Sequence, residues 1–97
     1  MVANIPASAT GLAKGASAAD STTLHAGSLQ VRTDFGASGY GGLCPSPGDH
    51  AHRYFLTVHA LSVEKLDINA DVSPALVGLF LNFNTIEKAT IMGLYGR

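Results

Sequence analysis

Tryptophan is absent from these 97 residues, cysteine occurs once, and only 13% of positions carry a charge. With Cys44 alone, no intrachain disulfide framework can form. The six basic residues are Lys14, Arg32, Arg53, Lys65, Lys88 and Arg97; no two are adjacent, and the net charge is −1. That balance excludes the clustered Lys and Arg surface of a dedicated nucleic-acid binder or of a protein that docks on anionic membranes. No run approaches the roughly 18 apolar residues that a membrane helix needs, so no integral membrane segment is expected. Met1 to Lys14 has no basic stretch ahead of an apolar one, and Pro6 interrupts it, so it does not read as a signal peptide. The default expectation is a soluble, cytoplasmic chain.

What is present is apolar and glycine-rich: 46% hydrophobic residues and eleven glycines. Low charge with high apolar content argues against disorder. The length suits one small domain, residues 1–97, with a core of limited size.

Val2–Ile5 is a short apolar run stopped by Pro6 and reads as the tail of a strand. Residues 7–28 are Ala, Ser, Thr and Gly without helical or strand periodicity, a loop of unusual length for a compact domain. Leu29 to Thr33 alternates apolar and polar residues, as a half-buried strand does. Gly36 to Gly48 gathers five glycines and two prolines in thirteen residues, a loop that needs unusual backbone angles. His52 to Leu61 (HRYFLTVHAL) has the strongest strand signal. Tyr54, Leu56, Val58 and Ala60 share one parity, Phe55 and Leu61 the other, which places it centrally between two layers. Ser73-Pro74 starts a helix, Ser as the cap and Pro in the first turn. Leu76, Leu79, Phe80 and Phe83 then form an amphipathic stripe, with Asp71 and Lys88 near the ends where the helix dipole favours them. Thr90 to Tyr95 closes as a strand. The reading is mostly β with one main helix, and it leaves too few elements to cover both faces of the central strand.

The densest chemistry is Asp49-His50-Ala51-His52-Arg53-Tyr54. His50 and His52 share a strand face and, with Asp49, suggest a metal; tetrahedral zinc needs further ligands, which only His25 and His59 could supply as imidazoles. A second reading is an anion site, with His52 and Tyr54 donating from one face and backbone N–H groups of the glycine loop forming a concavity. A third makes Cys44 a nucleophile, although no helix N-terminus is evident beside it. Against all three stands a plain strand start, its polar side chains bonded to local carbonyls, which spacing alone favours. Arg53 points to the other face and is expected to pair with a carboxylate. His59 reads as a hydrogen-bonded core histidine, Phe80 and Phe83 as core. Phe35 and Tyr40 either anchor the glycine loop or wall a small pocket. The run Gly36–Gly42 ends in no Lys-Ser/Thr and opens no helix, which argues against a nucleotide loop.

Thr33-Asp34-Phe35-Gly36, Gly39-Tyr40-Gly41-Gly42, Cys44-Pro45, Pro47-Gly48 and His52-Arg53-Tyr54, in this order, resemble a signature block of the phosphatidylethanolamine-binding protein (PEBP) family. That family is also called Raf-kinase-inhibitor-protein-like, and the likeness is to its bacterial YbhB/YbcL branch. It extends through FLTVHAL, Ser73-Pro74-Ala75-Leu76-Val77-Gly78 and the closing GLYGR, and back to Val2–Pro6. The resemblance implies a PEBP-like antiparallel β-sheet sandwich with peripheral helices and a pocket for small anions or phosphorylated headgroups. His52 and Tyr54 match pocket-lining residues of the family; Tyr40, Gly42, Cys44 and Pro45 fall in the matching loop that shapes its rim. It moves the anion reading ahead of the plain strand start.

Leu43 and Ser46 stand where the family often has proline, and Thr33 where Asn is frequent. Family members also carry an N-terminal segment with an Asp-Pro-Asp block and a His-Trp pair, which contribute to the pocket. The chain is therefore expected to correspond to the C-terminal three-fifths of the family domain, with the N-terminal part absent. A leader in that segment would make the compartment periplasmic. The expectation is a non-enzymatic binding protein with no cofactor and no bound metal. Its alternatives are a Raf-kinase-inhibitor-like module for a protein partner, or a truncated product with impaired binding that exposes strand edges and self-associates as a homodimer.

Overall fold

The computed structural model describes residues 1–18, 22–33 and 36–97. The described elements are β1 (Val2–Ala3), β2 (Leu29–Gln30), β3 (His52–Leu61), α1 (Pro74–Asn84) and β4 (Thr85–Tyr95). All strand pairing among them is antiparallel: β1 with β2, and β3 with β4. The mostly-β reading with one helix therefore holds.

The β3–β4 pair is the main feature. It runs from His52 opposite Tyr95 to Leu61 opposite Thr85, with one irregularity between Ala60 and Leu61. β-branched residues suit this extended ladder, and the Thr57 and Thr90 hydroxyls meet across it at 2.8 Å. β3 occupies the span its alternation predicts. β4 begins at Thr85, five residues before the Thr90 start expected from sequence, because α1 passes into it without a loop. Thr85 is already extended at φ −74° and ψ 121°, while its N–H still donates to the Leu81 carbonyl.

α1 starts as its sequence predicts. Ser73 is extended, its side-chain oxygen accepts the Leu76 N–H at 3.2 Å, and Pro74 follows at the first helical position. Its end corrects two expectations. Lys88 lies in β4 and not at the helix C-terminus, and the first turn carries no acidic residue, so neither proposed dipole partner sits in the helix. The buried face differs too. Val77 is fully buried and Leu81 partly so, whereas Leu76 and Leu79 are exposed and Phe83 is 74% exposed. The i, i+4 pair Val77–Leu81 meets the core, and the expected stripe of Leu76, Leu79, Phe80 and Phe83 does not form it.

That core joins Ala3, Val31 and Val77, with Ile68, Val72 and Leu81 packed against it. Beside it, backbone bonds tie residues 31–32 to the N-terminal residue and to the segment before α1, Val31 N–H to the Met1 carbonyl at 3.0 Å and Arg32 N–H to the Ala70 carbonyl at 3.2 Å. β2 stops at Gln30, short of Thr33, and Arg32 instead forms an isolated bridge with Ser38. At the end of β1, Asn4 adopts φ 58°, a left-handed angle that Asn tolerates better than most residues. Its side chain bonds both backbone groups of Leu66.

The long segment before β2 has turns but no strand or helix among its described residues. Asp34 and Phe35, with the pocket-wall expectation for Phe35, lie outside the described residues. β3 is not enclosed between two layers: among the described elements it pairs with β4 alone, and Val58 is 75% exposed. Phe55, Leu56, Ile91 and Leu94 are likewise exposed, so both faces of the pair present apolar side chains. Among the described residues no helix is long and apolar enough to cross a membrane.

Candidate functional site

The predicted residues fall in the loop that enters β3 and in its first turn of alternation. Gly36, Gly39, Gly42 and Gly48 all have positive φ, between 87° and 106°, so this loop takes a path that side-chain-bearing residues rarely follow. Pro45 is buried within it, and Cys44 is exposed.

At the strand start, His52 and Tyr54 stand on one face, as their i, i+2 spacing requires. Their rings lie 6.4 Å apart between centroids and 27° from parallel. His50 adds a third ring, 5.8 Å from His52 and tilted by 52°. His52 Nε2 lies 3.2 Å from Asp49 Oδ2, so the carboxylate three residues upstream orients the imidazole and engages one of its nitrogens. Both side chains are open to solvent, 38% for His52 and 52% for Asp49. An open cleft at this corner is lined by His50, Ala51, His52, Arg53, Phe55 and Leu94.

Arg53 departs from expectation. Its guanidinium lies 5.8 Å above the Phe55 ring, a cation–π contact on the opposite face, and it pairs with no carboxylate among the described residues. The ring stands two positions along the same exposed face, whereas the acidic residue closest in sequence, Asp49, is taken by His52.

The other predicted residues are held elsewhere. The Tyr40 backbone N–H donates to the Ser17 carbonyl at 2.6 Å, and its side chain is exposed. Arg97 Nε donates to the Pro45 carbonyl at 2.8 Å, and its Nη2 lies 3.7 Å from Cys44 Sγ. Among the described residues, no hydrogen bond or ring contact joins Tyr40, Gly42, Cys44 or Pro45 to His52 or Tyr54. The structure thus assembles His50, His52 and Tyr54 with Asp49, and sets Cys44 and Pro45 beside Arg97. Sequence reasoning missed the Asp49–His52 pair as a positioning contact, though its i, i+3 spacing across a loop-to-strand junction was a readable signal. It missed Arg97 altogether, because contacts 52 positions apart leave no local pattern.

His59, one of the imidazoles considered for a metal, has its Nδ1 3.1 Å from Thr85 Oγ1 and is half-buried, as a hydrogen-bonded structural histidine would be. Among the described residues no group of three or more His, Cys, Asp or Glu is placed to hold a metal ion. A second open cleft, at the start of α1 and lined in part by Arg32, Ser73 and Pro74, contains none of the predicted site residues.

Known proteins share the fold of this chain. The family model described as phosphatidylethanolamine-binding protein matches residues 1–96. The chain is 46% identical over 94 residues to the protein YbcL of Escherichia coli K12, covering 97% of this chain and 51% of that protein. It is 38% identical over 95 residues to YbhB of the same organism, covering 98% and 59%. The crystal structure of E. coli YbcL, described there as a new member of the mammalian PEBP family, superposes with a TM-score of 0.92 at 45% identity. That superposition covers 99% of this chain and 58% of the solved one. The chain therefore spans about half the length of the curated relatives it matches.

Proposed function

The chain belongs to the phosphatidylethanolamine-binding protein family, and from that premise we propose that it is a non-enzymatic binding protein whose site takes a small anion or a phosphorylated headgroup. The observation that carries this reading is the pairing of His52 and Tyr54 on one solvent-open face, with ring centroids 6.4 Å apart. A tetrahedral anion is held by donors converging from one side. Tyr54 supplies a phenolic O–H. With Nε2 engaged by Asp49, His52 keeps Nδ1 for the ligand, and as an imidazolium it donates there and adds positive charge. His50, whose ring lies 5.8 Å from that of His52, adds a further donor group beside it. Asp49 works on orientation: it fixes the ring so that a ligand does not have to.

The reaction chemistry needed for a hydrolase finds no support in this geometry. Among the described residues, Cys44 has a guanidinium beside it and no histidine in contact, and the His52–Asp49 pair has no serine, threonine or cysteine bonded to it. The reading is binding without turnover.

Isothermal titration calorimetry with inorganic phosphate and with phosphoethanolamine tests it. Saturable one-to-one heat that weakens on Tyr54→Phe supports the reading, and a wild-type chain that gives no heat with either ligand at millimolar concentration removes it. A lower dissociation constant for phosphoethanolamine than for phosphate would assign the headgroup as the preferred form.

A second reading rests on a different observation, the apolar side chains exposed on both faces of β3–β4. Contiguous exposed apolar surface marks an interaction surface or an association hazard. We infer that this surface buries itself by association, and the self-association prediction below tests it.

A further inference from the structure

Arg97 lies two residues past the end of β4, whose last residue Tyr95 pairs with His52, the first residue of β3. It therefore leaves the sheet at the point where the glycine-rich loop enters. Three contacts converge there. Arg97 Nε donates to the Pro45 carbonyl at 2.8 Å, Nη2 approaches Cys44 Sγ at 3.7 Å, and the Gly48 N–H donates to the main-chain oxygen of Arg97 at 3.2 Å. Between them Gly96 lies flat against Ala51, whose Cα would be 3.4 Å from a Cβ built at position 96. Pro45, the residue whose carbonyl is held, is fully buried.

A loop with repeated positive-φ glycines has no side chains to hold its own shape at those positions, and loops of this kind are ordered by what they are tied to. The first part of the loop is tied at Ser38 to Arg32 and at Tyr40 to Ser17, whereas the long-range ties of the 44–48 end come from Arg97. The side chain fixes the loop at 44–45 and the main chain fixes it at 48, so both sides of the Pro45–Gly48 turn are anchored on Arg97. Asp49 and His52 follow immediately, and their mutual contact begins from the position Gly48 gives them.

We propose that Arg97 is the positioning residue of the site: it straps the 44–48 rim to the end of β4 and thereby sets where Asp49 and His52 begin. The assignment rests on the anion-site reading for its functional meaning. The strap itself is a matter of local order. A planar guanidinium suits the role because it offers several fixed donors at once, to a carbonyl and a thiol in different directions.

The test is amide hydrogen exchange on the 97-residue chain, wild type against Arg97→Gln, read by NMR. The substitution does not touch the Gly48 N–H, whose acceptor is the main-chain oxygen of residue 97. Loss of the side-chain anchor frees that main chain, so Gly48 protection is expected to fall about tenfold while the amides that bond across the β3–β4 ladder keep theirs. Lys88→Gln, an exposed change within β4, is expected to leave Gly48 unchanged. Unaltered Gly48 protection in Arg97→Gln overturns the proposal, and so does a loss shared equally by the ladder amides, which would mean general destabilisation. A phosphate titration of both chains is read separately: Arg97→Gln is expected to weaken binding about fivefold, and an unchanged affinity overturns the link between strap and site. A wild type that binds no phosphate refutes the anion-site reading and with it that link, leaving the exchange result to decide the strap.

Discussion

Asn4 grips the backbone of Leu66 at both of its polar groups: Nδ2 donates to the Leu66 carbonyl at 3.2 Å and Oδ1 accepts the Leu66 N–H at 2.8 Å. An amide side chain is doing there what a neighbouring strand would do, across 62 positions of sequence. It does so from a left-handed backbone, φ 58°, where Asn is tolerated and Ala is strained. Asn4→Ala loses two partly buried hydrogen bonds and adds that strain, a cost of about 2–3 kcal/mol. For a chain of this size that lowers the melting temperature by on the order of 10 °C. Asn4→Gly loses the bonds but not the backbone fit, so it melts between the two. Thermal denaturation followed by circular dichroism checks the order; Asn4→Ala melting with the wild type would refute it.

The helix offers a contrast between two apolar residues on different faces. Val77 is fully buried against Ala3 and Val31, and Val77→Ala costs about 1–3 kcal/mol through lost transfer energy and a cavity. Phe83 is 74% exposed, so Phe83→Ser changes stability by no more than about 0.5 kcal/mol. Urea denaturation of the two variants measures both. A larger loss for Phe83→Ser than for Val77→Ala would show that the sequence stripe, and not the structural face, identifies what the helix buries.

The same exposure on the sheet predicts self-association. Val58 at 75% and Ile91 at 71% are apolar side chains open to solvent. Analytical ultracentrifugation of the isolated chain is expected to show dimers or larger species that dissociate on Val58→Lys, a charge placed on an open strand face. A monomer at high micromolar concentration, melting cooperatively, would contradict this.

Much of the fold was legible from local pattern. Alternation over His52–Leu61 marked β3 to the residue, and Ser73-Pro74 marked the start of α1, because both signals depend on neighbours a few positions away. What was not legible depended on distance. The helix face was misread because Leu76, Leu79 and Phe83 satisfy helical periodicity whether or not something covers them; only the partners Ala3 and Val31, far away in sequence, select Val77. The end of α1 was misread because nothing marks it as a stop: Thr85 simply turns extended, and Lys88 continues as strand. At the candidate site, the i, i+2 spacing of His52 and Tyr54 showed only that they share a face, and it was the family resemblance that put an anion site ahead of a plain strand start; Arg97 was not legible either way, since its ties to Pro45 and Cys44 arise from the β3–β4 register. Arg53 shows the opposite failure: a general expectation of a carboxylate partner lost to the nearer ring of Phe55.

If His52 and Tyr54 form the donor pair, their substitutions separate by charge. His52→Ala removes a group able to make a charge-assisted bond, and phosphate affinity falls about 10- to 100-fold. Tyr54→Phe removes one neutral donor, and affinity falls about 3- to 10-fold. Calorimetry on the two variants gives the ranking, and the reverse order would assign the main contact to the phenol.

The most direct test of the account is a phosphate titration of the isotopically labelled 97-residue chain followed by amide and imidazole NMR signals. The account predicts saturable shifts centred on His52 and Tyr54, extending to Asp49 and Gly48 and fading along β3 beyond Leu56. Shifts centred elsewhere, or none at millimolar phosphate, would contradict it.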